Sequence, residues 1–224
     1  MRRRRHRRAL AAGVALAAAA LAGCAGAGRP APSPVTCYRA PGTGLADVRR
    51  AVVLPFEREA AAAEFLGDLE STFAGELQKE RRFEIVPLGD TDAGLASALV
   101  RREGAYEIRS LIEIARRYSA DAALVGTVTQ FRPYEPMALG LKVELVSAAT
   151  GEVVFSAEAF FDCAEEATLE AIREYHEARG GRDERADVSG WRHYTASPRS
   201  FARFVCASVA ATLPCGVEVA PVRN

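Results

Sequence analysis

The sequence predicts an α/β fold of the α+β sandwich kind, a single mixed sheet with helices packed on it in the order β-α-β-α-β-β-β-α-α. Three observations predict it. Short apolar runs ended by Pro or Gly alternate with segments whose apolar residues recur three or four positions apart, the signatures of buried strands and amphipathic helices. Two later segments alternate residue by residue on either side of Thr150-Gly151, the signature of a hairpin. Finally, 224 residues with 49% hydrophobic content suffice for one good core, and no period typical of solenoids or propellers is visible.

The first residues are an address rather than a fold element. Arg2, Arg3, Arg4, Arg5, Arg7 and Arg8 precede an apolar stretch from Ala9 to Leu21, too short and too rich in small residues to span a bilayer comfortably. The stretch stops at Leu21-Ala22-Gly23-Cys24, which resembles the lipobox of bacterial lipoproteins. That resemblance implies residues 1–23 as a signal peptide, lipid on the Cys24 sulfur, and Cys24 as the first mature residue. The alternatives are an ordinary secretory signal ending at Ala22-Gly23 or a short membrane anchor. Two or three acyl chains such as palmitate would anchor durably where one would not. Ala25 rather than Asp after the cysteine implies, by the same analogy, the outer membrane with the chain on its periplasmic side. Residues 24–47 then form the lipidated cysteine and a flexible tether, with Pro30, Pro32 and Pro34 among small residues.

The domain proper is expected over residues 48–179. Arg50 to Phe56 is an apolar run broken by Pro55, a buried strand. Ala62, Phe65, Leu66, Leu69, Phe73 and Leu77 share one face of a single long helix, and Phe83 to Pro87 is the next strand. A short helix is expected around Ala93 to Arg101. From Glu107, Ile108, Leu111, Ile112 and Ala115 line one side of another helix, which Arg116-Arg117-Tyr118 closes. Ala122 to Thr129 is a third strand. The odd-numbered residues from Met137 to Leu145 and from Val153 to Phe161 form the inner faces of the hairpin, which leaves Lys142, Glu144, Glu152 and Glu158 in water. A membrane-spanning hairpin explains the same alternation less well, because it would bury those charges.

Asp162 is the expected N-cap of a helix over Ala164 to Arg179 that buries Leu169, Ile172 and Tyr175, with Gly180-Gly181 ending it. Residues 180–197 form a polar loop, an excursion around the lone Trp191. Ser197-Pro198 starts a last helix with the stripe Phe201, Val205, Val209 and Leu213, so that residues 198–224 are a C-terminal helix and tail packed on the domain.

Charge narrows the partners. Setting aside the six arginines of residues 2–8 turns a balance of 29 basic and 29 acidic residues into an acidic excess of six. Nucleic acid is therefore not an expected partner, and the membrane is reached through the lipid anchor. Beyond Cys24, four cysteines remain: Cys37, Cys163, Cys206 and Cys215. An oxidising periplasm favours disulfides among them, with three pairings open if all four join. No Cys-x-x-Cys occurs, so no metal site is expected.

Catalysis has little to work with. A hydrolase needs a nucleophile and a positioned base, and His176 and His193 lie in no recognisable motif. Thiol chemistry at Cys163 or Cys206 is the enzymatic alternative, set against the structural role usual for such cysteines. Neither a GxGxxG nor a P-loop pattern appears, and Glu165-Glu166 suits a helix start better than an acid–base pair. No enzyme activity and no cofactor besides the covalent lipid are expected.

Three strings carry a family resemblance: Ala51-Val52-Val53-Leu54-Pro55-Phe56, the stretch from Ile112 to Val128 with Asp121-Ala122-Ala123-Leu124-Val125-Gly126, and Thr150-Gly151-Glu152-Val153-Val154-Phe155-Ser156. Together they resemble the amino-terminal α/β domain of TolB and its relatives, which include the curli-secretion lipoprotein and the lipoprotein activators of peptidoglycan synthases. The resemblance covers residues 50 to 162, without the propeller of full TolB and without room for the extra hairpins of a secretion pore. It implies a binding role: an adaptor or activator of an envelope protein, or an oligomerising subunit of a secretion or transport assembly. Candidate contact residues are Phe131, Arg132 and Tyr134, in a short connection dense in aromatics and prolines, and Trp191.

Overall fold

In the computed structural model, the described residues are 34–41, 45–88, 101–102, 105–106, 108–179 and 190–213. The signal, Cys24, the expected helix over residues 93–100, Gly180-Gly181 and Cys215 lie outside them. The main sheet has six strands: β1 (Val35–Arg39), β2 (Arg50–Val53), β3 (Glu84–Pro87), β6 (Ala122–Arg132), β7 (Ala138–Ser147) and β8 (Val153–Asp162). Their order is β1-β8-β7-β6-β2-β3, with β2 parallel to β3 and β6, and the other neighbours antiparallel. The expected class, one mixed sheet with packed helices, is what the chain forms. Two further short strands, β4 (Arg101–Arg102) and β5 (Ala105–Tyr106), pair only with each other.

Six α-helices accompany the sheet among the described residues: α1 (Ala60–Leu66), α2 (Leu69–Lys79), α3 (Ile108–Tyr118), α4 (Glu166–Ala178), α5 (His193–Ala196) and α6 (Pro198–Ala210). The larger core unites Phe73 and Leu77 of α2 with Phe201, Phe204 and Val205 of α6, over Leu139, Leu141, Val143 and Leu145 of β7. On a second, smaller core, α3 places Ile114 against Val52, Leu54, Ala123 and Val146.

Several local choices differ from the sequence pattern. The long helix is broken at Gly67, whose φ of +64° glycine adopts without penalty, and Asp68 then caps α2 by accepting from Ser71 N at 2.9 Å. Residues 35–39, expected within the tether, form the edge strand β1 instead, because β8 supplies a ladder that local sequence does not reveal. On α3, Ile114 is buried, whereas Ile112, expected on the buried side, is 40% exposed. Arg101, expected to end a helix, lies in β4. Glu144, expected in water, is buried and bonded to Lys142 at 3.2 Å, since β7 lies between β6 and β8. The part of the polar loop from 190 to 197 is not an excursion: it includes α5, and Tyr194 is buried against Tyr175 at 5.4 Å between ring centroids.

Other expectations have direct counterparts. Gly151 has a φ of +73° in the β7–β8 turn, where its amide donates to Ser147 O. Asp121 accepts from the amides of Arg49 and Arg50 at 2.9 and 3.1 Å, which joins the start of β6 to the start of β2. Ser197 caps α6 by accepting from Ser200 N, with Pro198 in the first turn. Phe201, Val205, Val209 and Leu213 are all buried.

Candidate interaction site at the free end of β6

The longest strand of the sheet is only partly paired on one side. β6 meets β2 through Ala122, Ala123 and Leu124, then bridges Glu57 at Thr127, where Val128 N donates to Glu57 O at 2.8 Å. Past that bond the chain leaves the sheet to start α1. Its other neighbour, β7, continues to pair with Gln130, Phe131 and Arg132 after a bulge. Among the described residues, the segment from Thr129 to Arg132 has only β7 as a strand neighbour, and a cleft of about 210 Å³ lies against its Thr129, Gln130 and Phe131. Glu59, Ala61 and Ala62 of the α1 region line it together with Val128 and Pro133.

An aromatic group flanks the cleft. Phe65 of α1 approaches Phe131 at 6.1 Å and Tyr134 edge-on at 5.8 Å between ring centroids. Tyr134 remains 71% exposed. Two of the sequence candidates, Phe131 and Tyr134, are therefore brought together, and the residue joining them, Phe65, was legible only as part of a helical stripe. Arg132 has a different role. Its guanidinium donates to Pro136 O and to Asp162 Oδ1, the latter at 2.7 Å, so it fixes the connection between β6 and β7 against the start of the α4 segment. Burial pushes the Asp162 carboxyl up, but the Ala164 amide and Arg132 outweigh it and hold the group below its ordinary range.

Trp191, the fourth candidate, makes its contacts elsewhere. The Arg173 and Arg192 guanidiniums lie 4.7 and 5.1 Å from its ring, and the side chain is half-buried. His193, whose Nδ1 lies 2.7 Å from Gly190 O, has its ring 3.8 Å from that of Tyr194 at a tilt of 40°, and the His176 ring is 6.1 Å away. These histidines belong to an aromatic cluster that seats α5 on α4.

Cys37, Cys163 and Cys206 are free thiols with no bridge among these three, and Cys215, the fourth of the expected set, lies outside the described residues. Cys206 is fully buried and its thiol is pushed far up by desolvation. Cys163 is pushed up to about 11, mainly by burial and further by Asp162. Neither is poised as a thiolate. Among the described residues, no three His, Cys, Asp or Glu side chains gather in a group able to hold a metal ion, and no helix is long and apolar enough to cross a membrane.

No protein-family model matches the sequence, and no curated protein does. Among solved structures, the chain is similar to the PelC dodecamer from Paraburkholderia phytofirmans, at 19% identity and a TM-score of 0.46, over 80% of this chain and 96% of that one. It is similar to the lipoprotein GNA1162 from Neisseria meningitidis at 16% identity and a TM-score of 0.37, over 50% and 79% of the two chains. For the LpoB C-terminal domain from Salmonella enterica the values are 18% and 0.33, over 50% and 81%.

Proposed function

We propose that this chain is a non-enzymatic lipoprotein of a bacterial envelope, held by lipid on Cys24 at the periplasmic face of the outer membrane, and that it acts as an adaptor or activator by binding a partner protein. The observation that carries the reading is the open segment Thr129–Arg132 beside its cleft. An extended segment of a partner adds there as a strand: backbone bonds give affinity, and the flanking Phe65, Phe131 and Tyr134 supply an apolar anchor. The lipobox-like Leu21-Ala22-Gly23-Cys24 and the resemblance of residues 50 to 162 to envelope-binding domains support the setting. The burial that raises the Cys163 and Cys206 thiols and the packing of both histidines in an aromatic cluster support a binding rather than a catalytic role.

The test is in-cell crosslinking followed by capture of the tagged chain, with Ala61→Trp, at an exposed position on the cleft wall, to fill the cleft and Tyr134→Ala to remove the anchor. Both variants should lose the captured partner while melting like the parent protein. Capture unchanged in a well-folded Ala61→Trp variant would sink the cleft as the site. Cys24→Ser should release the chain from the membrane fraction, and retention there would sink the lipid anchor.

A further inference from the structure

We propose that the cleft beside β6 recognises arginine: the partner segment that binds there is basic and places one arginine side chain between Glu59 and Phe131. This rests on the reading of the cleft as the place where a partner segment adds. Every residue that lines the cleft is among the described ones, and its volume of about 210 Å³ is below the roughly 300–1,000 Å³ of a small-molecule site. It therefore holds a side chain rather than a whole ligand.

The lining selects that side chain. Glu59 brings a carboxylate and Phe131 an aromatic ring to the same small space, with Thr129 and Gln130 beside them. A guanidinium meets a carboxylate with two parallel N–H donors and also lies flat on a ring face, which the point charge of lysine does not. Its methylene stem has Ala61 and Ala62 to lie against. An apolar side chain would take Glu59 out of water and give it nothing in return, and a carboxylate would meet it as a like charge. Glu59 is also not held by its own helix. It stands at the N-cap of α1, yet its side chain makes no capping bond.

Charge around the cleft favours the same occupant. Glu57, bridged to Thr127 ahead of the open segment, and Glu135, after it, are both exposed. The arginines nearest in sequence are committed elsewhere: Arg58 pairs with Glu70 at 2.5 Å and Arg132 with Asp162 at 2.7 Å. Among the described residues, no cation pairs with Glu57, Glu59 or Glu135. A basic segment is thus drawn in by the surrounding charge, while Glu59 and Phe131 choose which of its side chains enters.

The experiment uses the full chain, extracted from membranes and immobilised through a C-terminal tag, with a displayed library of short random peptides as the probe. Peptides that bind the parent protein and not the Ala61→Trp variant are the cleft-dependent ones. They should carry an arginine. In fluorescence anisotropy of the synthetic peptides, replacing it by leucine should weaken binding about tenfold or more, and replacing it by lysine should weaken binding less. Glu59→Gln removes no capping bond, so it should melt like the parent while weakening the arginine peptides about tenfold. Glu59→Arg should enrich peptides with Asp or Glu instead, and Phe131→Leu should erase the preference for arginine over lysine. Cleft-dependent peptides without a basic residue, or indifferent to Glu59→Gln, would overturn the proposal and leave the cleft standing as a binding site. A library with no cleft-dependent peptide would sink the cleft itself and the proposal with it.

Discussion

The ring of Phe56 lies directly against Gly126: a Cβ built on that glycine would sit 2.5 Å from three ring carbons. The contact has a consequence for the site. With Phe56 seated over β6, Glu57 N donates to Gly126 O at 2.9 Å and Val128 N returns a bond to Glu57 O. That exchange holds the chain against β6 just before it turns into α1, and so determines where the free end of β6 begins.

Gly126→Ala should therefore be costly, because the buried Phe56 ring has to move. Overpacking of this kind costs about 1–3 kcal/mol. Urea denaturation should show a lower midpoint with an unchanged slope, and Phe56→Leu in the same chain should recover part of the loss. Full parental stability in the single variant would show that the ring can shift freely.

The cap at Asp68 makes stability depend on pH. Its carboxyl accepts from Ser71, which lowers its pKa despite partial burial. A carboxyl lowered in the folded state stabilises above its ordinary range, and that contribution is lost as pH falls through the lowered folded value. Asp68→Ala should cost about 0.5–2 kcal/mol at neutral pH. Its denaturation midpoint should also change less than the parent's between pH 5 and 2.

Arg132→Ala separates loop order from global stability. The Arg132–Asp162 pair is partly exposed, so its loss should change stability by less than about 1 kcal/mol. The loss of the bonds to Pro136 O and Asp162 should instead speed amide exchange from 133 to 137 and raise the Asp162 pKa in a carboxyl titration followed by NMR. Unchanged exchange would mean that the connection is held by its own backbone.

Thiol reactivity should follow burial. In the native protein near pH 8, alkylation should modify Cys37 first and Cys163 slowly, while Cys206 should wait for unfolding. Peptide mapping over time gives the order directly. Early modification of Cys206 would contradict the packing of α6.

Much of the architecture was legible because it is written in local periods. The alternation from Met137 to Leu145 and from Val153 to Phe161 specifies a hairpin, since a one-residue slip would turn every leucine of β7 outward. Ser197-Pro198 and the stripe behind it specify α6. The candidate site was half legible: Phe131 and Tyr134 stood out by composition, but nothing local links them to Phe65.

The sequence by itself determined which residues share a face, where the hairpin turns and where the last helix starts, because each follows from neighbours within a few positions. Only the tertiary structure decided that residues 35–39 are a strand, that α3 buries Ile114 rather than Ile112, and that β6 outruns β2 to leave a cleft. Those outcomes depend on partners far along the chain. Thr36 bonds to Glu158 across a separation of 122 residues, and no local pattern records which edge a distant strand will find open.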